Sequence, residues 1–158
     1  MEDKILVVTH SILDQGMLPV EKRFGMGPLP VVKDLMDLSV NLVALPNVEK
    51  QYALFQKDQT DRNTGVEEDY EKYIKRSLAP LVNEVMERVK NGSTFLGVLS
   101  YQGDDTQRVE PETSPIMIEL FRLFDRNCML TPYFEISDKI SQEEMELVIS
   151  DIVLSLGI

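Results

Sequence analysis

The sequence predicts a single α/β domain spanning residues 1–158, built on a doubly wound, mainly parallel four-stranded sheet with helices on both faces. Three observations carry that expectation. Short runs rich in β-branched residues alternate with segments whose apolar residues recur at helical spacing. The runs are near-continuously apolar, as in strands covered on both faces. The stretches between them are long enough for crossover helices, which parallel strands require.

The first run, Lys4 to His10, follows the N-terminus directly. Val40 to Leu45 is the second, closed by Pro46, and Thr94 to Leu99 is the third. Cys128 to Thr131, stopped by Pro132, is the expected fourth strand. Between the first two, Pro30 suits a first helical position, ahead of Val31, Val32, Leu35 and Met36. A long helical pattern runs from Val66 through Tyr70, Tyr73, Leu78 and Val85 to Val89, with Gly92 as its C-terminal cap. Pro80 is expected to kink or split that helix. Ser114-Pro115 reads as N-cap and first residue of the next helix, which carries Ile116, Met117, Leu120 and Phe124. Ser141 and Glu144 form a capping box, with Ile140 and Met145 placed as its staple, before a last helix through Ile152 to Leu156. The resulting order βαβαβαβα suggests strands arranged 2-1-3-4.

Composition narrows the function. Hydrophobic residues are 43% of the chain, enough for a real core. The formal charge of −11, with no block of basic residues, disfavours nucleic acid and anionic membrane as partners. The apolar runs are too short for a membrane span, and the N-terminus has no signal-peptide pattern, so a cytoplasmic protein is expected. One cysteine, Cys128, rules out an internal disulfide framework and reads as a small core hydrophobe. A homo-oligomer is compatible with all of this.

The loops locate the site. Helix-to-strand connections are short, whereas three strand-to-helix connections are long: about 11–29, 47–65 and 100–113. All three leave the carboxyl edge of the sheet, where open α/β sheets bind ligands. The residues following the strand ends are chemically rich. His10, the sole histidine, is followed by Ser11 and Asp14; Asn47 and Glu49 follow the second run; Ser100, Tyr101, Asp104 and Asp105 follow the third. His10, Asp14, Glu49 and Ser100 are the candidate catalytic residues. Ser11, Arg23, Asn47, Tyr101 and Asp104 are the candidate ligand contacts, with Arg23 the natural anion partner. No dinucleotide fingerprint, P-loop or diagnostic metal-ligand spacing occurs.

Several of these stretches together resemble one family. Val8-Thr9-His10-Ser11-Ile12-Leu13-Asp14-Gln15 resembles the S-H-C-x-L-N-Q opening of small proteins related to 2-thiouracil desulfurase. Lys22-Arg23-Phe24-Gly25 resembles their A-R-Y-P-G. Val43-Ala44-Leu45-Pro46-Asn47-Val48-Glu49 resembles x-Q-L-P-C-P-E, and Gly97 to Asp104 resembles G-V-x-G-S-P-S-C. Tyr70, Tyr73 and Ile118-Glu119-Leu120 fit the same pattern. The resemblance implies an α/β domain holding a four-iron–four-sulfur cluster on three cysteines, one iron remaining open to take sulfur from a thiocarbonyl substrate. The cysteine positions here are Ser11, Asn47 and either Asp104 or Gly103. The family's acidic residue matches Glu49, and its serine matches Ser100 or Tyr101. None of the matched ligand positions supplies a thiolate, which such clusters require. No cofactor is therefore expected. The chain reads as a small-molecule-binding paralogue without desulfurase chemistry, or alternatively as a cluster-independent enzyme acting on a small anionic or heterocyclic substrate.

Overall fold

The computed structural model describes residues 3–62, 70–104, 107, 114–137 and 139–154. The expected positions Val66, Asp105 and Leu156 lie outside them. Strands β1 (Lys4–Thr9), β2 (Val40–Leu45), β3 (Thr94–Tyr101) and β4 (Tyr133–Ile136) form one sheet in the order β2-β1-β3-β4, every pairing parallel. A short helix, α1 (His10–Leu13), leaves β1, and α2 (Pro30–Asp37) leads into β2. Helices α3 (Val48–Arg62) and α4 (Tyr70–Lys90) lie between β2 and β3, α5 (Pro115–Arg126) between β3 and β4, and α6 (Gln142–Leu154) follows β4. The expected fold class and strand order are both present.

Strand alternation divides the core into two layers. Ile5, Val7 and Val98 pack with Val48 and Tyr52 of α3, Leu78 and Val85 of α4, and Leu120 and Phe124 of α5. Leu6, Val8, Leu96 and Leu99 pack with Val31 and Leu35 of α2 and Met145 and Ile152 of α6. The caps follow the sequence. The Ser114 hydroxyl accepts from the Met117 amide at 3.3 Å, and the Ser141 hydroxyl accepts from the Glu144 amide at 3.1 Å. Ile140 and Met145 are both buried beside that second cap.

Four expectations are corrected. The segment after β2 is a helix, not a loop: α3 is mostly polar, and among its residues 48–57 only Val48, Tyr52 and Phe55 turn inward, too few to mark it in sequence. Pro80 neither splits nor ends α4, which is continuous; the proline sits on the exposed side, while the inward stripe runs unbroken from Tyr73 to Val85. The fourth strand lies after Pro132, not before it, because the Pro132 carbonyl accepts from the Val98 amide at 2.9 Å and so sets β4 beside β3. Cys128 is accordingly not in a strand and not buried. It stands at φ 59° just past α5, where the Cys128 amide donates to the Asp125 carbonyl and the Met129 amide to the Phe124 carbonyl. That is the pattern of a left-handed helix end.

Two devices fix the sheet. At the amino edge, the Asp3 carboxylate accepts from the Ser93 hydroxyl at 2.7 Å, from Arg88 of α4 at 3.0 Å and from Asn41 of β2. In the middle, the β1–β3 register shifts between Ile5 and Leu6, and Gly97 stands there at φ 125°. A Cβ on Gly97 would overlap the Pro132 carbonyl.

Gly97→Ala combines left-handed strain with a backbone clash, and should cost about 3 kcal/mol or more in denaturant unfolding. The Asp3 carboxyl is held below its ordinary pKa of 3.8, first by the Ser93 hydroxyl and then by Arg88. A depressed native pKa contributes stability that is complete above the unfolded value and lost as pH falls through the folded one. In Asp3→Asn the melting temperature should therefore fall less steeply than in wild type below about pH 4.

Candidate functional site

Parallel strands deliver their carboxyl ends to one edge, so the last residues of the strands form a row across the sheet. Leu45 pairs with Thr9, Val8 with Leu99, and Ser100 with Glu135, which places Thr9, Ser100 and Glu135 side by side in adjacent strands. By alternation all three side chains share the face covered by α3, α4 and α5. Below this row the face buries apolar residues, Ile5, Val7 and Val98. At the row it turns polar while remaining buried: Thr9 and Ser100 are inaccessible to solvent. A buried hydroxyl needs a partner. The Ser100 hydroxyl donates to the Glu135 carboxylate at 3.3 Å, and the Thr9 and Ser11 hydroxyls lie 3.2 Å apart.

The chain after β3 extends the row. The Asp104 amide donates to the Tyr101 carbonyl at 3.0 Å, forming a tight turn, and the Asp104 side chain is buried. Gln107 reaches to the end of β2, donating from Nε2 to the Pro46 carbonyl at 2.8 Å. Its own Oε1 is buried and meets no donor among the described residues. The buried N-cap Ser114 then opens α5. The edge thus holds Thr9, Ser11, Ser100, Asp104, Gln107 and Ser114 out of water, with Glu135 half-buried beside them.

The chain after β1 forms an ordered cap on the same edge. Its base is closed by the Leu29 amide donating to the Ile12 carbonyl at 2.9 Å. Inside it, Gln15 donates to the Ser11 carbonyl at 2.6 Å and accepts from the Phe24 amide at 2.7 Å. The Tyr101 hydroxyl donates to the Lys22 carbonyl at 2.8 Å. Gly103 lets this approach occur, since a Cβ there would overlap both the Tyr101 ring and the Lys22 carbonyl.

The candidate residues therefore divide. Ser11, Ser100 and Asp104 belong to the buried polar edge. His10, at the start of α1, and Asp14, just past its end, are neighbours with exposed side chains, with Nε2 and Oδ2 separated by 3.9 Å. Asp14 also caps the following turn, accepting from the Gly16 amide at 2.9 Å. Asn47 accepts from the Lys50 amide at 3.4 Å at the start of α3. Glu49 is exposed in the first turn of α3. Its carboxylate adds to the effect of burial in raising the pKa of Tyr70, whose ring stacks on Tyr52 at 4.6 Å. Arg23 directs its fork at the Leu18 and Gly16 carbonyls, at 2.8 and 3.0 Å, so it fastens the cap. Tyr101 points into the opposite core layer, with Ile12 and Ile136.

Thr9, Gln107 and Glu135 join the site without having stood out in the sequence. Glu135 was hidden by the misplaced fourth strand. Gln107 carries no local signal, since only the turn at Asp104 carries it to Pro46. Among the described residues, no group of three or more His, Cys, Asp or Glu side chains is placed to hold a metal ion, and no helix is long and apolar enough to cross a membrane. No family model, curated protein or solved structure matches the chain.

Replacing Tyr101 by Phe removes the hydrogen bond to Lys22 while keeping the ring. Stability should fall by about 1 kcal/mol, and hydrogen exchange should quicken at the amides of Leu18, Arg23 and Phe24 more than elsewhere.

Proposed function

We propose that this chain is a small-molecule-binding domain of the 2-thiouracil desulfurase-like type that works without an iron–sulfur cluster, with its ligand at the buried polar edge of the sheet. The observation that carries the reading is the Gln107 side chain, buried, anchored through Nε2 on Pro46, and presenting an acceptor oxygen that meets no donor among the described residues. A buried acceptor without a donor costs about 1–3 kcal/mol, which a ligand donor at this position would offset. The surrounding groups are also acceptor-rich, with the Glu135 and Asp104 carboxylates and the Ser100 and Thr9 hydroxyls. In a chain of charge −11 this set repels anions and suits a small neutral ligand bearing N–H donors, such as a heterocyclic amide or thioamide.

The donor set does not fit a four-iron–four-sulfur cluster. Ser11 and Asn47 offer hydroxyl and amide groups with hydrogen-bond roles of their own, and Asp104 offers a hard carboxylate where a soft thiolate is needed. Cys128 is remote from this edge. It follows the C-terminal end of α5, a helix of 12 residues, about 18 Å long at 1.5 Å per residue, whose N-terminus is the end that meets the site.

Native mass spectrometry of protein purified anaerobically tests both halves of the proposal. A bound neutral small molecule is expected, with iron and acid-labile sulfide well below one equivalent. Ser100→Ala and Gln107→Leu should weaken its binding about tenfold or more, while each costs stability only about 1 kcal/mol. Stoichiometric iron, or undiminished binding in both variants, would overturn the reading.

A further inference from the structure

Helix α5 turns Ile116, Met117, Leu120 and Phe124 into the core. Its opposite side carries Ile118, Phe121, Arg122 and Asp125, and these line a groove of about 650 Å³ together with Cys128, Met129, Leu130 and Thr131. An outward helix face is ordinarily polar. Here Ile118 on the helix is 42% exposed, and Leu130, four residues past its end, is 92% exposed. The apolar surface continues onto the edge strand through Tyr133, 46% exposed, whose ring meets Phe121 edge-on at 6.1 Å. Contiguous exposed apolar surface of this kind marks an interaction site.

We infer that this face binds a second copy of the chain, α5 against α5 about a two-fold axis. Charge selects that occupant. The chain as a whole carries −11, so two copies repel over most of their surface. The groove is locally neutral, since Arg122 and Asp125 are the charged residues that line it. It is also self-complementary. In an antiparallel pair of helices with the axis between residues 123 and 124, Arg122 faces the partner's Asp125, and Asp125 faces the partner's Arg122. A two-fold interface requires this matching of one patch with itself. Arg122 can serve both contacts. It donates from Nη1 to the buried Glu119 carboxylate at 3.1 Å, and a guanidinium has five donors in all.

Sedimentation equilibrium of the full chain between about 1 and 100 µM should show the mass rising from 18.0 kDa toward twice that value. Asp125→Arg places like charges across the axis, and Ile118→Glu places charge in the apolar contact. Each should raise the dissociation constant about tenfold or more. Both positions are exposed, so circular dichroism and melting of the dilute variants should match wild type. Leu147→Glu, on the exposed face of α6, should leave association unchanged. A mass of 18.0 kDa throughout, or variants at 118 and 125 that associate as wild type does, would overturn the inference.

Discussion

The architecture depends on one strand being enclosed. From Ile5 to Thr9 every residue of β1 is inaccessible to solvent, with β2 on one edge, β3 on the other and a helical layer over each face. Buried backbone amides and carbonyls must be paired, and a strand on either side pairs them. Both neighbours run parallel to β1, so the chain leaves at the same edge after every strand. It also means that any polar side chain on the last rung stays buried and must find its partner there. Thr9 meets Ser11, and Ser100 meets Glu135, for this reason.

The polar rung is held from both ends of the sheet. Val98 and Pro132 bring β4 alongside β3 through a contact that only glycine at 97 permits, and this sets Glu135 opposite Ser100. Tyr101, one residue on, points to the other face and fastens the cap through Lys22. Adjacent residues of one strand thus serve different ends: Ser100 lines the polar edge, and Tyr101 keeps the loop after β1 in place over it. Arg23 acts with Tyr101, because its fork closes the loop's own carbonyls.

Electrostatics gives the surface two distinct regions. The carboxyl edge gathers hydroxyls, carboxylates and an amide oxygen that meets no donor among the described residues, inside an acidic body, an environment that favours neutral donors over anions. The groove beside α5 is lined by apolar residues with one charge of each sign, where two acidic bodies approach with the least repulsion. The first is built from strand ends and turns, the second from a single helix and the segment beyond its C-terminus. Changes at one therefore need not disturb the other.

Local chemistry alone determined the four-stranded parallel α/β class, the strand order and most of the caps. Near-continuous apolar runs are buried wherever they lie, and Ser114, Ser141 and Gly92 act on the backbone within a few residues. The carboxyl edge, and the presence there of Ser11, Ser100 and Asp104, followed from the same alternation of strand and helix. Tertiary structure decided the rest. Helix α3 forms although few of its residues turn inward, because those few, Val48, Tyr52 and Phe55, find the α4 aromatics to pack on. Strand β4 begins after Pro132 because a backbone carbonyl there meets Val98 across the sheet. Gln107 enters the site because a turn after β3 carries it to Pro46. In each case the deciding partner is far away in the chain, and no pattern within one segment can encode a contact that exists only after the sheet has formed.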